Sequence, residues 1–385
     1  MAERSRDYGK EAIERHRESR GKISIAPKMK VETLDDLSIA YTPGVAAVCM
    51  AIAEDESESF HLTNRANTVA IVTDGSAVLG LGNIGAEAAM PVMEGKSILF
   101  KSLADIDAFP ICLATQDNDA IIQTVRNLAP SFGGINLEDI AAPRCFVIED
   151  ALQDLGIPVF HDDQHGTAIA VLAGVINSLL VTGRKIEDTK FVFAGAGAGG
   201  IASTKLLLDH GATNVTLVDS TGIISRNRSD LTSVKSAMLD TTNPENTHGG
   251  IADAMRGADV FIGLSAAGAV SAEMVSSMAK DSIVFAMANP VPEIWPDDAR
   301  AAGAAVVGTG RSDFPNQINN SLVFPGIFRG ALDCHATRVT TRMKLAAAGA
   351  LAALVKEPTP ENVIPWSLDR QVAQTVAAAV ARSSA

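Results

Sequence analysis

Two groups of residues in this chain have types and spacings that carry chemistry, and the first is rich in glycine. Phe191-Val192-Phe193-Ala194 reads as a strand and runs directly into Gly195-Ala196-Gly197-Ala198-Gly199-Gly200, which matches GxGxxG at Gly195, Gly197 and Gly200. In such a turn the first glycine permits the tight bend and the second lets the backbone approach a pyrophosphate. The third lets the following helix pack closely on the strand. A helix opening near residue 199 aims free N–H groups and its positive end at the phosphates. Asp219 closes the next strand, where an acid bonds the adenosine ribose of NAD. Arg226, Arg228 and Lys235 follow within range of a 2′-phosphate, so the pattern leaves NAD and NADP both open.

The second group is acidic. Glu149-Asp150 follows the apolar run Phe146-Val147-Ile148, and Asp162-Asp163 follows Pro158-Val159-Phe160-His161. Both runs read as strands of a parallel sheet, whose carboxyl ends bind ligands. Carboxylates gathered there repel one another unless a cation neutralises them, and hard oxygen ligands suit Mg²⁺ or Mn²⁺. Asp150 and Asp163 also precede helices, where aspartate caps free N–H groups, so that reading stands beside the metal one. His161 and His165 flank the second pair and are not assigned as ligands.

Positioning these residues takes a large, well-cored fold. The 385 residues suggest about two to three domains. With 47% hydrophobic residues and only 4% aromatics, the core is expected to be built from Ala, Val, Ile and Leu. Residues 9–20 read as an exposed charged helix, with a turn at Thr42-Pro43-Gly44, a strand at 68–72 and a glycine-broken stretch at 80–100 that does not read as an ordinary helix. Strands are expected at 109–113, 145–148, 159–160, 191–194, 215–218, 259–264, 283–287 and 305–307, alternating with helices. The result is an α/β fold: an N-terminal α/β domain over 1–165, a doubly wound Rossmann-type domain over 166–330, and C-terminal helices over 331–385.

Composition narrows the function classes. The net charge of −13 argues against nucleic-acid binding through a basic face. Cys49, Cys112, Cys145 and Cys334 form no CxxC pair, as expected of free thiols in a reducing compartment. The run Met1–Asp7 has no apolar core of a signal peptide, and the apolar stretch 168–181 is too short to span a bilayer. A cytoplasmic protein without membrane partners is expected.

Several longer segments together resemble the malic enzyme family in its short bacterial form. They are Ser38-Ile39-Ala40-Tyr41-Thr42-Pro43-Gly44-Val45, Val72-Thr73-Asp74-Gly75, Leu79-Gly80-Leu81-Gly82-Asn83-Ile84-Gly85 and Pro91-Val92-Met93-Glu94-Gly95-Lys96. To these add Ile148-Glu149-Asp150, His161-Asp162-Asp163-Gln164-His165-Gly166, Ala288-Asn289-Pro290 and Asn319-Asn320-Ser321. The resemblance implies oxidative decarboxylation of (S)-malate to pyruvate and CO₂ with reduction of NAD(P)⁺, dependent on a divalent metal, in a homodimer or a dimer-based oligomer. It further implies that Glu149, Asp150 and Asp163 are metal ligands, that Lys96 is the general base and that Tyr41 is the acid protonating C3 of enolpyruvate. Asp162 would orient the proton-transfer groups, and Asn289 and Asn320 would hold the substrate carboxylates beside the cofactor. One departure is present: larger members carry an arginine after the Asp-Gly of the glycine-rich segment, and Gly75 is followed here by Ser76-Ala77. An oxaloacetate decarboxylase or malolactic-type lyase on the same scaffold is the alternative, and a non-catalytic dinucleotide-responsive regulator the third reading.

Overall fold

The computed structural model describes residues 8–384, so the charged run Met1–Asp7 lies outside the described residues. Two sheets organise the chain. The first has four parallel strands in the order β2-β1-β3-β4, with β1 at Thr68–Thr73, β2 at Asp107–Cys112, β3 at Gly134–Leu137 and β4 at Val159–His161. The second has the order β10-β9-β8-β5-β6-β7. Its strands are β5 (Lys190–Ala194), β6 (Asn214–Asp219), β7 (Gly222–Ile223), β8 (Val260–Gly263), β9 (Ile283–Ala286) and β10 (Val306–Thr309). Only the short β7 runs antiparallel. Because β5 sits between β6 and β8, the winding reverses at its carboxyl end, which makes this sheet doubly wound. β1 plays the same part between β2 and β3.

The Asp162–Thr182 helix links the sheets and packs on the Ala198–Asp209 and Thr341–Ala353 helices. An apolar cluster runs from Val69 and Phe100 through Ile169–Val175 to Phe193 and Val215, so both sheets share it. Phenylalanine fills more of the interior than composition suggests: Phe100, Phe160, Phe191, Phe193, Phe285, Phe324 and Phe328 in this cluster, and Phe261 in a second one, are all fully buried. Few aromatics are present, but most are interior. The stretches 34–54 and 162–182 are long and apolar enough to cross a membrane, and 67% of the second is buried inside the protein. The helix there exceeds the fourteen-residue apolar run because its first turn carries Asp162 and Asp163.

Three local expectations are corrected. Residues 145–148 are not a strand but part of the Arg144–Ala151 helix. Cys145, Ile148 and Glu149 are buried while Val147 is exposed, an i, i+3, i+4 pattern rather than alternation. The third strand of the first sheet is instead Gly134–Leu137, a short run that carries Asn136. Residues 86–104 form one helix despite Pro91 and Gly95, and the tight turns are confined to 74–85. There Gly75 is left-handed (φ 67°), and an added Cβ would lie 2.2 Å from the Gly85 carbonyl oxygen.

Candidate active site

The carboxyl ends of β1, β3 and β4 meet at one edge. Glu138 and Asp139 leave the end of β3, and Asp163 sits in the first turn of the helix that follows β4. One carboxylate oxygen from each of these three lies within 4.8 Å of the others. The Asp139 backbone N–H also donates to Asp163 Oδ2 at 2.8 Å. Burial pushes the Asp139 carboxyl up to about 9, helped by the neighbouring charges of Asp163 and Glu138. Glu138 and Asp163 are raised in the same direction, again chiefly by burial. Asp139 Oδ2 is buried without a partner. Three crowded hard oxygens, one of them orphaned, suit a divalent cation such as Mg²⁺ or Mn²⁺.

Lys96 enters from the Ala86–Ala104 helix and is 7% exposed. Its ammonium meets Glu138 Oε2 at 2.5 Å, pairs with Asp162 Oδ2 and lies 4.4 Å from the Phe324 ring. Burial lowers the pKa of this amine, but Asp162, Glu138 and Asp163 outweigh it and hold the lysine above its ordinary value. The depressed pKa expected of a lysine base is therefore absent in this arrangement of charges. Gly166 makes room for the pair: a Cβ there would stand 1.8 Å from Asp162 Oδ1 and 3.0 Å from Asn320 Cβ. Asn320 thus lies beside Gly166 and Asp162. Tyr41 does not join the buried group, because it ends the Leu34–Ala40 helix and is 67% exposed.

Glu149 and Asp150 are not brought to the cluster, and this corrects the expected ligand set. They ride on the Arg144–Ala151 helix rather than at a strand end, and Asp150 is exposed. The Glu149 carboxylate accepts from the His161 N–H at 3.0 Å, Gln164 Nε2 at 2.9 Å and His165 Nε2 at 3.0 Å. Burial opposes its charge, but His165, His161 and Lys344 outweigh that and draw its pKa down to about 2. Its role in the geometry is to hold the turn that presents Asp162 and Asp163. Sequence reasoning missed Glu138, Asp139 and Lys344. The Glu-Asp pair directly after an apolar run was the available sign for the first two, while Lys344 carries none. At the departure noted above, Arg144 donates to Ser76 Oγ at 2.8 Å and to Asp74 Oδ2 at 2.6 Å.

A cleft of about 760 Å³ opens beside this edge, lined by the glycine turn, Asp219, Ser220, Lys235 and Ser265. Gly195 is left-handed (φ 108°), with its Cβ position 2.1 Å from the Leu264 carbonyl oxygen. Gly197 faces open space, and a Cβ on Gly200 would lie 1.7 Å from the Gly195 oxygen. Asp219 is heavily engaged. Arg228 Nη1 and Nη2 donate to it at 2.7 and 3.1 Å, Lys235 Nζ at 2.6 Å and the Thr221 N–H at 3.0 Å. Burial opposes its ionisation, but the bonds from Arg228 and Lys235 draw its pKa down to about 2. Arg226 turns away to the Leu239 and Asn243 carbonyls. Asn289 follows β9, and its carbonyl oxygen abuts Gly80 of the first region, where a Cβ would lie 2.1 Å away.

Known proteins match this chain over most of its length. The family described as malic enzyme, N-terminal domain, matches residues 20–153, and malic enzyme, NAD binding domain, matches 164–385. The chain is 54% identical over 378 residues to a bifunctional malic/malolactic enzyme of Bacillus subtilis, covering 97% of this chain and 92% of that one. The chain belongs to the malic enzyme family. It is also 54% identical over 367 residues to a NAD-dependent malic enzyme of Geobacillus stearothermophilus, covering 94% of this chain and 77% of the relative. The crystal structure of a NAD-dependent malic enzyme from Thermotoga maritima superposes with a TM-score of 0.94 at 49% identity, covering 97% of this chain and 99% of that one. The malic enzyme fold thus places a buried lysine, a crowd of acids and a dinucleotide-type cleft along adjoining sheet edges.

Proposed function

We propose that the protein converts (S)-malate to pyruvate and CO₂ while reducing NAD⁺ or NADP⁺. The observation that carries this reading is the crowding of Glu138, Asp139 and Asp163 next to the buried Lys96–Asp162 pair. Glu138, Asp139 and Asp163 would hold a divalent metal, which when bound polarises the 2-hydroxyl and the adjacent carboxylate of the substrate. The cleft at Gly195–Gly200 would hold the dinucleotide, whose nicotinamide would supply the hydride acceptor for C2 of the substrate. Lys96 would exchange the hydroxyl proton at Nζ once a cation held by Glu138, Asp139 and Asp163 offsets the acids that keep it protonated, with Asp162 holding that atom in place. Tyr41 gives a proton to C3 of enolpyruvate after CO₂ leaves. Asn289 and Asn320 hold the substrate carboxylates. On this reading residues 1–165 form the catalytic domain, 166–330 the dinucleotide domain, and 331–385 helices that brace the two.

A homodimer belongs to the proposal. The Leu34–Ala40 and Val45–Glu54 helices contain no buried residue, Leu34, Ile39 and Met50 stand exposed on them, and Tyr41 stands exposed between them. A second copy covering this face would bury that surface and take Tyr41 out of water. A cytoplasmic location is supported by four free cysteines, which a reducing compartment preserves.

The test mixes purified protein with (S)-malate, Mn²⁺ and either NAD⁺ or NADP⁺ and follows reduced nicotinamide, with and without a chelator. Growth that the chelator abolishes supports the proposal. No growth with either cofactor, in protein shown to bind dinucleotide, overturns it. The name of the Bacillus relative favours one second reading: malate converted to lactate and CO₂ with no net reduction. Lactate is therefore assayed in the same mixture.

A further inference from the structure

Outside the acid cluster, one buried carboxylate stands in an unusual place. Glu293 is 0% exposed. Among the described residues no ion pair reaches it, so its charge rests on neutral donors alone. Oε1 accepts from the Ser265 N–H at 2.8 Å and the Ser265 hydroxyl at 3.1 Å, and Oε2 accepts from the Ala288 N–H at 3.0 Å. These donors belong to the two loops that leave β8 and β9. The backbone beside Glu293 adds to the seam, with the Val270 N–H donating to the Glu293 carbonyl at 3.1 Å and Gly268 to Pro292 at 3.0 Å.

Both loops face the ligand edge. Leu264 presses its carbonyl oxygen on Gly195, and Ser265 and Ala266 line the cleft. Asn289, one residue past Ala288, touches Gly80 of the first region. The carboxylate also occupies space that a side chain on β8 would need: a Cβ on Gly263 would stand 2.5 Å from Glu293 Cδ. Gly263 is therefore glycine for the sake of Glu293, and the two residues form one device.

We propose that Glu293 is a positioning residue for the dinucleotide, tying the loop after β8 to the loop after β9 and so fixing the cleft wall that faces the glycine turn. The proposal rests on the reading of this cleft as the dinucleotide site. A carboxylate suits the task because both of its oxygens accept, one toward each loop. Glutamine has the same shape but a single acceptor oxygen, so its amide N–H₂ must face one of the loop N–H groups. Aspartate is one methylene short and cannot span both loops.

The experiment uses the full chain and two variants that strike the device from opposite sides, Glu293→Gln and Gly263→Ala. NADH and NADPH are titrated separately by nicotinamide fluorescence, Mn²⁺ binding is measured by calorimetry, and far-UV circular dichroism follows thermal unfolding. The expected result is nucleotide affinity weaker by about tenfold or more in both variants, the scale of one lost bond to a buried charged group. KM for NAD(P)⁺ rises in step, while Mn²⁺ affinity stays at the wild-type value. Wild-type nucleotide affinity in Glu293→Gln overturns the proposal. So does an equal loss of Mn²⁺ and nucleotide binding, which marks a general structural role. Wild-type protein that binds neither nucleotide is a separate failure, because it removes the cleft reading itself.

Discussion

Replacing Lys344 with methionine should make the protein more stable at neutral pH. Lys344 Nζ lies 3.0 Å from His165 Nδ1, and His165 in turn bonds Glu149, so the ammonium ends a part-buried line of polar groups. Burial is the main influence on it, and despite the attraction of Glu149 and Asp209 it falls from 10.5 to about 8, with Lys205 adding to the depression. That gap amounts to about 3 kcal/mol at ~1.4 kcal/mol per unit. Below pH 8 both folded and unfolded chains hold the proton, and the folded one carries the full cost. Between 8 and 10.5 only the unfolded chain holds it, so stability climbs with pH, and above that window the cost is gone. Methionine removes the charge and loses one bond to His165, worth about 1 kcal/mol, which leaves a gain near 2 kcal/mol at neutral pH. Urea unfolding of both proteins at a series of pH values measures the difference directly. Cys145, which burial pushes up to about 12, biases stability the other way at high pH but equally in both proteins, so it cancels in the difference. The advantage of Lys344→Met should vanish across the window and turn into a small deficit above 10.5. A variant less stable at neutral pH, by a margin that does not change with pH, would refute the reasoning.

Four further outcomes follow from the site. Glu138→Gln and Asp163→Asn should each weaken Mn²⁺ binding by at least about 100-fold in calorimetry, beyond what the loss of a supporting partner costs. Asp150→Asn, on an exposed side chain, should leave that affinity within about twofold. Gly200→Ala should abolish NADH and NADPH binding in fluorescence titrations and lower the unfolding midpoint, because its Cβ would lie 1.7 Å from the Gly195 oxygen. Lys235→Ala should cost about tenfold in NADPH affinity and much less for NADH, since Lys235 lines the cleft beside Asp219 and adds a charge-assisted donor there.

The doubly wound half was legible because local signs agreed with one another. After its exposed Lys190, β5 is an apolar run, its glycine turn is unambiguous, and the strands that follow recur with helices between them. The turn geometry repeats the chemical argument: Gly195 needs a left-handed backbone, Gly197 faces open space, and Gly200 touches the turn it follows. Asp219 sat where an acid was expected, yet its ties to Arg228 and Lys235 were beyond reach of spacing alone. Those cations lie nine and sixteen residues downstream, past a short β7 that periodicity does not reveal.

The first sheet was harder to read, and the cause is local resemblance between two segments. Cys145-Phe146-Val147-Ile148 has the apolar, β-branched letters of a strand, whereas Gly134-Ile135-Asn136-Leu137 has a glycine and an asparagine. Packing inverted them. Ile135 and Leu137 fill the core on one side of β3, and Asn136, fully buried, is affordable because its amide donates to Glu138 at 2.9 Å. That bond places a candidate ligand directly after the strand. The acids then divide by their partners. Glu149 gathers donors and is held ionised without a metal, so it steadies the turn. Glu138, Asp139 and Asp163 share mainly one another and Lys96, so burial and crowding raise their pKa values and a cation would let them ionise together. A pair of acids in sequence therefore names a ligand only when its nearest partners are mostly other acids, and partners are a property of the fold.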